Sequence, residues 1–268
     1  IVKLHIIRGE RWRGKNPADS PWLTLGAGSD AGMSESEVNR NSSAGRAAAT
    51  PIIPDHRLLR RIGRGSYGEV WLALNAMNKW TAVKVVHRQA EDDRRAYEQE
   101  FRGLRRYDDL SGNDGSLMPI KNVGENVAGG YFYYAMELAD DAETRRPLPR
   151  PPAGVEDLAA IEQLAADYRP WTLSEELRRH GALKPQDCIE YGLALAQSLQ
   201  VLHQGGLVHR DVKPSNIMFV NGRPKLADVG LVATTDATLN SFAGTSGFVP
   251  LHGAGEPTGD LFALGKVL

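Results

Sequence analysis

The sequence predicts an α+β protein of two lobes, a small β-rich one followed by a larger helical one. Three observations predict it. Short β-rich runs crowd the stretch between Arg57 and Leu138 around one helix; from Leu173 onward the long patterned segments are helical; and the first β-hairpin is entered through three closely spaced glycines.

The elements follow in order. Leu58, Leu59 and Ile62 lead into Gly63, Gly65 and Gly68, and Val70, Trp71, Leu72 and Leu74 form a β-rich run. A turn over Asn75 to Lys79 and a second β-rich run, Thr81 to Val86, complete a hairpin. Glu91 to Tyr107 reads as a helix, with Glu91, Asp92 and Asp93 at its start and Arg105 and Arg106 at its end to complement the dipole. Met118 to Val127 and Tyr131 to Leu138 read as two more strands, turned at Gly129-Gly130.

Residues 140–170 read as an insertion. Arg145 to Pro152 is rich in Pro and Arg and expected to be extended. Val155, Leu158, Ile161, Leu164, Ala165 and Tyr168 then share one helical face. A helix packed on the domain is expected there, with a docking helix for a partner as the alternative. Leu173 to His180 is a short helix ended by Gly181, and Pro185 to Gln204 a long apolar one ended by Gly205-Gly206. Thr258 to Leu268 is the last helical segment.

Ahead of these elements, Ile1 to Gly32 has no clear periodicity, and Met33 opens a Ser- and Ala-rich stretch whose composition reads as disordered. Ile1 to Gly32 is either the tail of a preceding segment or sequence upstream of a start at Met33. The expected organisation is therefore 1–56 as a disordered or non-native segment, 57–139 as the small lobe and its connection, 140–170 as the insertion, and 171–268 as part of a helical lobe.

Bulk properties narrow the function classes. The chain of 268 residues is 41% apolar, enough for one large core. Lys and Arg number 32 against 33 Asp and Glu, a net charge of −1 that argues for no nucleic-acid or membrane-surface partner. One cysteine, Cys188, excludes an intrachain disulfide and fits a reducing, cytoplasmic compartment; its expected place is as a small buried residue on a helix. No apolar run approaches the ~18 residues that span a bilayer, and no convincing signal peptide is present.

Three clusters carry chemistry. The first is Gly63-Arg64-Gly65-Ser66-Tyr67-Gly68-Glu69-Val70. Glycines let backbone N–H groups approach phosphate oxygens without a Cβ in the way. A dinucleotide fingerprint needs a helix straight after its glycines; here Val70 to Leu74 favour strand, so a hairpin covering phosphates is the better reading. The second is Lys84 in Ala82-Val83-Lys84. A lysine pointing inward must be paired, by phosphates and by a carboxylate. Glu100 on the following helix is the candidate, one turn before Leu104 on the same face; Glu98 is the runner-up, two residues away and so on another face.

The third is His209-Arg210-Asp211-Val212-Lys213-Pro214-Ser215-Asn216, followed by Asp228-Val229-Gly230. The spacing H-R-D-x-x-x-x-N matches a phosphotransfer loop in every fixed position. Asp211 can accept a hydroxyl proton, and Lys213 can place positive charge beside a transferring phosphoryl. Asn216 and Asp228 supply the hard oxygen ligands that Mg²⁺ prefers.

From about Arg57 to Leu268 the chain resembles the bacterial family of eukaryotic-like (Hanks-type) serine/threonine protein kinases, with the C-terminal part of the catalytic domain truncated. The resemblance implies a protein-kinase-like two-lobe fold, with an incomplete helical C-lobe and ATP with Mg²⁺ in the cleft between lobes. It implies that Met136 is the gatekeeper, that Glu137 and Ala139 offer backbone hydrogen bonds to adenine, and that Val70, Ala82 and Met218 enclose the purine. Lys213 and Thr245 point to protein Ser or Thr acceptors. Arg210 is placed to meet a phosphate on the activation segment, and Asp260 to brace the catalytic loop. There are departures. The family's D-F-G is Asp228-Val229-Gly230, and Gly247-Phe248-Val249-Pro250 runs into Leu251-His252, without the glutamate of A-P-E. A non-catalytic nucleotide-binding or scaffold module is the competing function. A small-molecule phosphotransferase is a third, which the Thr245 loop argues against.

Overall fold

A computed structural model describes residues 50–65, 68–88, 94–112, 115–151, 158–228, 233–234, 244–251 and 253–268. The expectations for residues 1–49, for Glu91 to Asp93 and for His252 lie outside the described residues.

The small lobe is one antiparallel sheet of β1 (His56–Gly65), β2 (Gly68–Asn75), β3 (Trp80–His87), β4 (Ile120–Asn126) and β5 (Tyr131–Met136), in the order β1-β2-β3-β5-β4. Side chains alternate between its faces. Ala73, Val83, Val85, Tyr131, Tyr133 and Ala135 form the outer face, closed by Ile53. Ala82, Val86, Phe132, Tyr134 and Met136 form the inner face, continuous with the main core. All six residues of β5 are buried because both faces are covered. Packing begins upstream of Arg57: the Tyr131 hydroxyl donates to the Ile52 carbonyl at 2.8 Å, and Ile53 is 4% exposed.

Helix α1 (Arg94–Ser111) extends past the expected end at Tyr107. Leu104, Tyr107 and Ser111 are all buried along one face, and the Tyr107 hydroxyl is tied to the Met118 carbonyl at 3.0 Å. Burial of that face carries the helix one turn further, so Arg105 and Arg106 lie exposed within it and its last turn holds no basic residue.

The helical lobe follows the expected boundaries closely. Helix α2 (Leu158–Asp167) lies in the insertion. Helix α3 (Leu173–His180) is capped by the Thr172 hydroxyl, which accepts from Glu175 N–H, and ends at Gly181 with φ 76°. Helix α4 (Pro185–Gln204) buries Leu195, Ser198, Leu199 and Leu202, and α5 (Pro257–Val267) buries Asp260, Ala263, Leu264 and Val267. Two small ribbons complete the lobe: β6 (Leu207–Val208) with β9 (Ala233–Thr234), and β7 (Ile217–Val220) with β8 (Arg223–Leu226). Cys188 departs from its expected burial. It is partly exposed in the first turn of α4, one turn before buried Gly192, with its thiol 3.6 Å from the Leu268 carbonyl. Among the described residues no helix is long and apolar enough to cross a membrane.

Candidate active site

The loop expected to be catalytic runs from β6 into a 3₁₀ turn, Pro214–Asn216, that feeds β7. A loop carrying polar groups this deep needs internal partners for its backbone, and Asp260 at the start of α5 supplies them. Its carboxylate, 1% exposed, accepts the N–H groups of His209 and Arg210, each at 2.8 Å, and lies 2.9 Å from His203 Nε2. Arg210 adopts φ 68°, a conformation rare for a side-chain-bearing residue, and the two backbone bonds to Asp260 hold it there.

Asp211 lies where three donors converge. Asn216 donates its amide to Asp211 Oδ2 and to its backbone carbonyl, both at 2.9 Å. Lys213 Nζ stands 2.8 Å from Oδ2. Thr245 donates its hydroxyl to Oδ1 at 2.7 Å and accepts from Lys213 Nζ at 2.7 Å. Residues 34 positions apart in sequence therefore share one hydrogen-bonded cluster, and Asp211 itself is 8% exposed.

Asp228 is brought to this loop by β8. The Ala227 N–H donates to the Asn216 carbonyl at 2.8 Å, so the two candidate metal ligands sit on adjoining strands' ends. Asp228 has φ 61°, which turns its carboxylate toward the small lobe. There it meets Lys84, 5% exposed on β3, in a close ion pair. Glu100 lies on α1; its side chain falls outside the described residues. Glu98 is exposed.

The positions expected to face a nucleotide occupy one sheet face. Val70 on β2 pairs with Lys84 on β3, and Ala82 pairs with both Leu72 and Met136. Ala82, Met136 and Val70 belong to the same cluster, with Met218 of β7 packed against it from below. The connection Glu137 to Ala139 follows, and Ala139 is 3% exposed. Of the expected glycines, Gly68 has a demand of its own: a Cβ there would come within 2.2 Å of the Val85 carbonyl oxygen, so the β2–β3 approach already requires glycine. At Gly63 a Cβ would make ordinary contact with Val70. Gly65 closes β1 against Gly68, and Ser66-Tyr67 between them lies outside the described residues.

Arg210 is 6% exposed, and its Nε and one terminal nitrogen find no partner among the described residues. Burial lowers its pKa, with Asp260 opposing. Sequence reasoning missed Tyr168, whose hydroxyl donates to the Ala139 carbonyl at 3.1 Å, and Arg60, whose guanidinium bonds the end of α2. No local pattern separates Arg60 from Arg57, Arg61 and Arg64.

A sheet lobe over a helical lobe, with a buried lysine paired to an aspartate at their junction beside a second aspartate's loop, defines the protein kinase fold. Comparison with known proteins agrees. Residues 161–267 match the protein kinase domain family. The chain is 30% identical over 221 residues to the serine/threonine-protein kinase AfsK of Streptomyces griseus, covering 79% of this chain and 23% of that protein. It is 28% identical over 225 residues to the serine/threonine-protein kinase PknA of Mycobacterium tuberculosis, 79% of this chain and 45% of that protein. To PknK of the same organism it is 28% identical over 240 residues, 84% of this chain and 19% of that protein. The chain thus has a protein-kinase-like fold and is similar to bacterial, eukaryotic-like (Hanks-type) serine/threonine-protein kinases, and spans less than half the length of these curated relatives.

Proposed function

We propose that the chain is the catalytic domain of a cytoplasmic protein serine/threonine kinase, transferring the ATP γ-phosphoryl to a Ser or Thr hydroxyl of a protein substrate. The observation that carries this reading is the Asp211, Lys213 and Thr245 cluster beside Asn216 and Asp228. The substrate hydroxyl oxygen attacks the γ-phosphorus, the bond to the β-phosphate oxygen breaks, and ADP leaves. Asp211 orients that hydroxyl and accepts its proton. Lys213 places its charge beside the moving phosphoryl, and Lys84 binds the nucleotide phosphates.

Asn216 and Asp228 would hold Mg²⁺, which would neutralise the phosphate oxygens; an amide oxygen and a carboxylate fit an ion that takes hard oxygen ligands and keeps several waters. Val70, Ala82 and Met218 enclose the adenine, with Glu137 and Ala139 offering backbone groups to its edge. The glycines Gly63, Gly65 and Gly68 line the hairpin over the phosphates. Arg210, buried with two guanidinium nitrogens that find no partner among the described residues, suits a phosphate on the segment 232–244, which carries Thr234, Thr235, Thr238 and Ser241.

The test pairs binding with transfer. Mg²⁺-ATP is expected to raise the melting temperature, since a ligand of the folded state stabilises it by mass action, and Lys84→Met to weaken that rise. Radiolabelled ATP is expected to label a generic basic protein on Ser and Thr. Stabilisation without transfer would leave a nucleotide-binding module in place of the kinase, and an unchanged melting curve at millimolar Mg²⁺-ATP would remove the cleft itself.

A further inference from the structure

The insertion does more than decorate the surface. Its two ends are closed on each other and fixed to the helical lobe. Asp141 accepts the Arg169 N–H at 3.0 Å, and the Ala142 N–H donates to the Arg169 carbonyl at 2.8 Å. Arg145 bonds Glu176 of α3 at 2.9 Å, and Arg179 of α3 bonds the Ala142 carbonyl at 3.1 Å.

Pro149 and the stretch Ala165 to Tyr168 reach across to the other lobe. Ala165 and Tyr168 at the end of α2 pack on Leu72, with Leu59, Ile62 and Trp80 around them. Arg60 of β1 donates from Nε to the Ala165 carbonyl at 2.7 Å and from a terminal nitrogen to the Tyr168 carbonyl. A cation on the last carbonyls of a helix is favoured by its dipole. The Trp80 indole N–H donates to the Pro149 carbonyl at 2.8 Å. Strands β1, β2 and β3 are therefore all fastened to a segment whose ends belong to the other lobe.

The place of contact matters. Leu72 lies two residues from Val70 on the same sheet face, and Ile62 precedes Gly63. Tyr168, 1% exposed, also holds the connection through its hydroxyl on the Ala139 carbonyl. Rotation of the sheet about the connection must carry α2 along or break these bonds.

We propose that residues 141–151 and 158–170 act as an interlobe strap that sets the position of the sheet over the nucleotide, with Arg60 and Tyr168 as positioning residues. The proposal rests on the nucleotide cleft proposed above. The strap preorganises the cleft, so loosening it speeds nucleotide release.

The test uses the full chain, a fluorescent ADP analogue with Mg²⁺, and three variants. Arg60→Met keeps the apolar stem and removes two charge-assisted bonds; Tyr168→Phe keeps the ring and removes one neutral bond. Each is expected to raise the dissociation rate and Kd about tenfold or less, Arg60→Met more than Tyr168→Phe, with KM for ATP rising and kcat unchanged. Amide exchange over 57–64 and 70–74 is expected to quicken in both. Arg178→Gln, which removes a surface pair, is expected to match the wild type. Variants that melt lower yet release ADP at the wild-type rate, or bind it tighter, would overturn the strap. Should Arg60→Met fail to fold, Tyr168→Phe decides alone. A wild-type chain that binds no analogue overturns the kinase reading and the strap with it; a binding wild type matched by both variants overturns the strap alone.

Discussion

Two buried aspartates organise two loops by the same physics. Asp260, 1% exposed, accepts the N–H groups of His209 and Arg210 and so shapes the catalytic loop. Asp141, 5% exposed, accepts the N–H groups of Glu143, Thr144 and Arg169 and the Thr144 hydroxyl, and so shapes the stem of the insertion. Each carboxylate replaces the water that a loop backbone would otherwise need. The difference lies in what each loop carries. The first holds the groups proposed to react; the second holds one lobe against the other. Rate and stability should therefore separate between them.

The largest expected effect is at the tip of the first loop. Asp211→Asn removes the proton acceptor and retains the shape, so transfer is expected to fall about 10²–10⁴-fold. Mg²⁺-ATP should still raise the melting temperature. A variant that transfers phosphate within a few-fold of the wild type, in a single-turnover assay, would break the assignment of Asp211.

Next comes the brace. Asp260→Ala leaves the N–H groups of His209 and Arg210 buried without their acceptor, each at about 1–3 kcal/mol. The loop also loses what holds Arg210 at positive φ, and a small misplacement of Asp211 can cost about 100-fold in rate. Denaturant unfolding and kcat should fall together. A loss of stability with kcat intact would mean that Asp260 braces the fold and not the chemistry.

A smaller effect is expected at Thr245. Thr245→Val keeps the volume and removes the hydroxyl that links Lys213 to Asp211. Those two remain 2.8 Å apart, so transfer should drop about tenfold, the equivalent of about 1.4 kcal/mol, with little change in melting temperature. An unchanged kcat would place Thr245 outside the working geometry.

How much of this was legible in the sequence follows the same divide. The first loop was readable because its groups are close in the chain: His209 to Asn216 is one short motif, and Asp228 follows a single strand pair. Asp260 and Thr245 were readable only through the family resemblance, since nothing local says that Asp260 on a helix reaches residues 51 and 50 positions away. Strands β2, β3 and β5 and helices α3 and α4 stood out because turn glycines and apolar runs bound them. The end of α1 did not, because Tyr107 is followed by polar residues, while the face that continues to Ser111 is defined by what packs on it. The insertion's helix was expected from its apolar face, but its bonds to Arg60 and Trp80 run over 69 to 108 positions and leave no local trace.

The smallest effect on rate, and the sharpest contrast, is expected at Asp141. Burial disfavours its charged form, but the N–H groups of Arg169, Thr144 and Glu143 outweigh burial and hold its pKa below the ordinary carboxylate value. A carboxylate with a depressed folded pKa adds stability that is full above its unfolded pKa of about 3.9 and is lost as pH falls through the lower folded value. Asp141→Asn keeps one oxygen acceptor and discards the charge. At pH 7 the variant should be less stable by about 1–3 kcal/mol, the worth of charge-assisted bonds, and the gap should begin to narrow below about pH 4 and close only as pH falls through the lower folded value, where the wild-type carboxylate is protonated. Urea titrations at pH 7 and at steps below about pH 4 measure both. With saturating Mg²⁺-ATP, kcat at pH 7 should stay within about twofold of the wild type, because the reacting groups hang on Asp260 and not on Asp141. A gap that persists unchanged at low pH would show that Asp141 acts through shape and not charge, and a large fall in kcat would mean that the two loops are one mechanical unit.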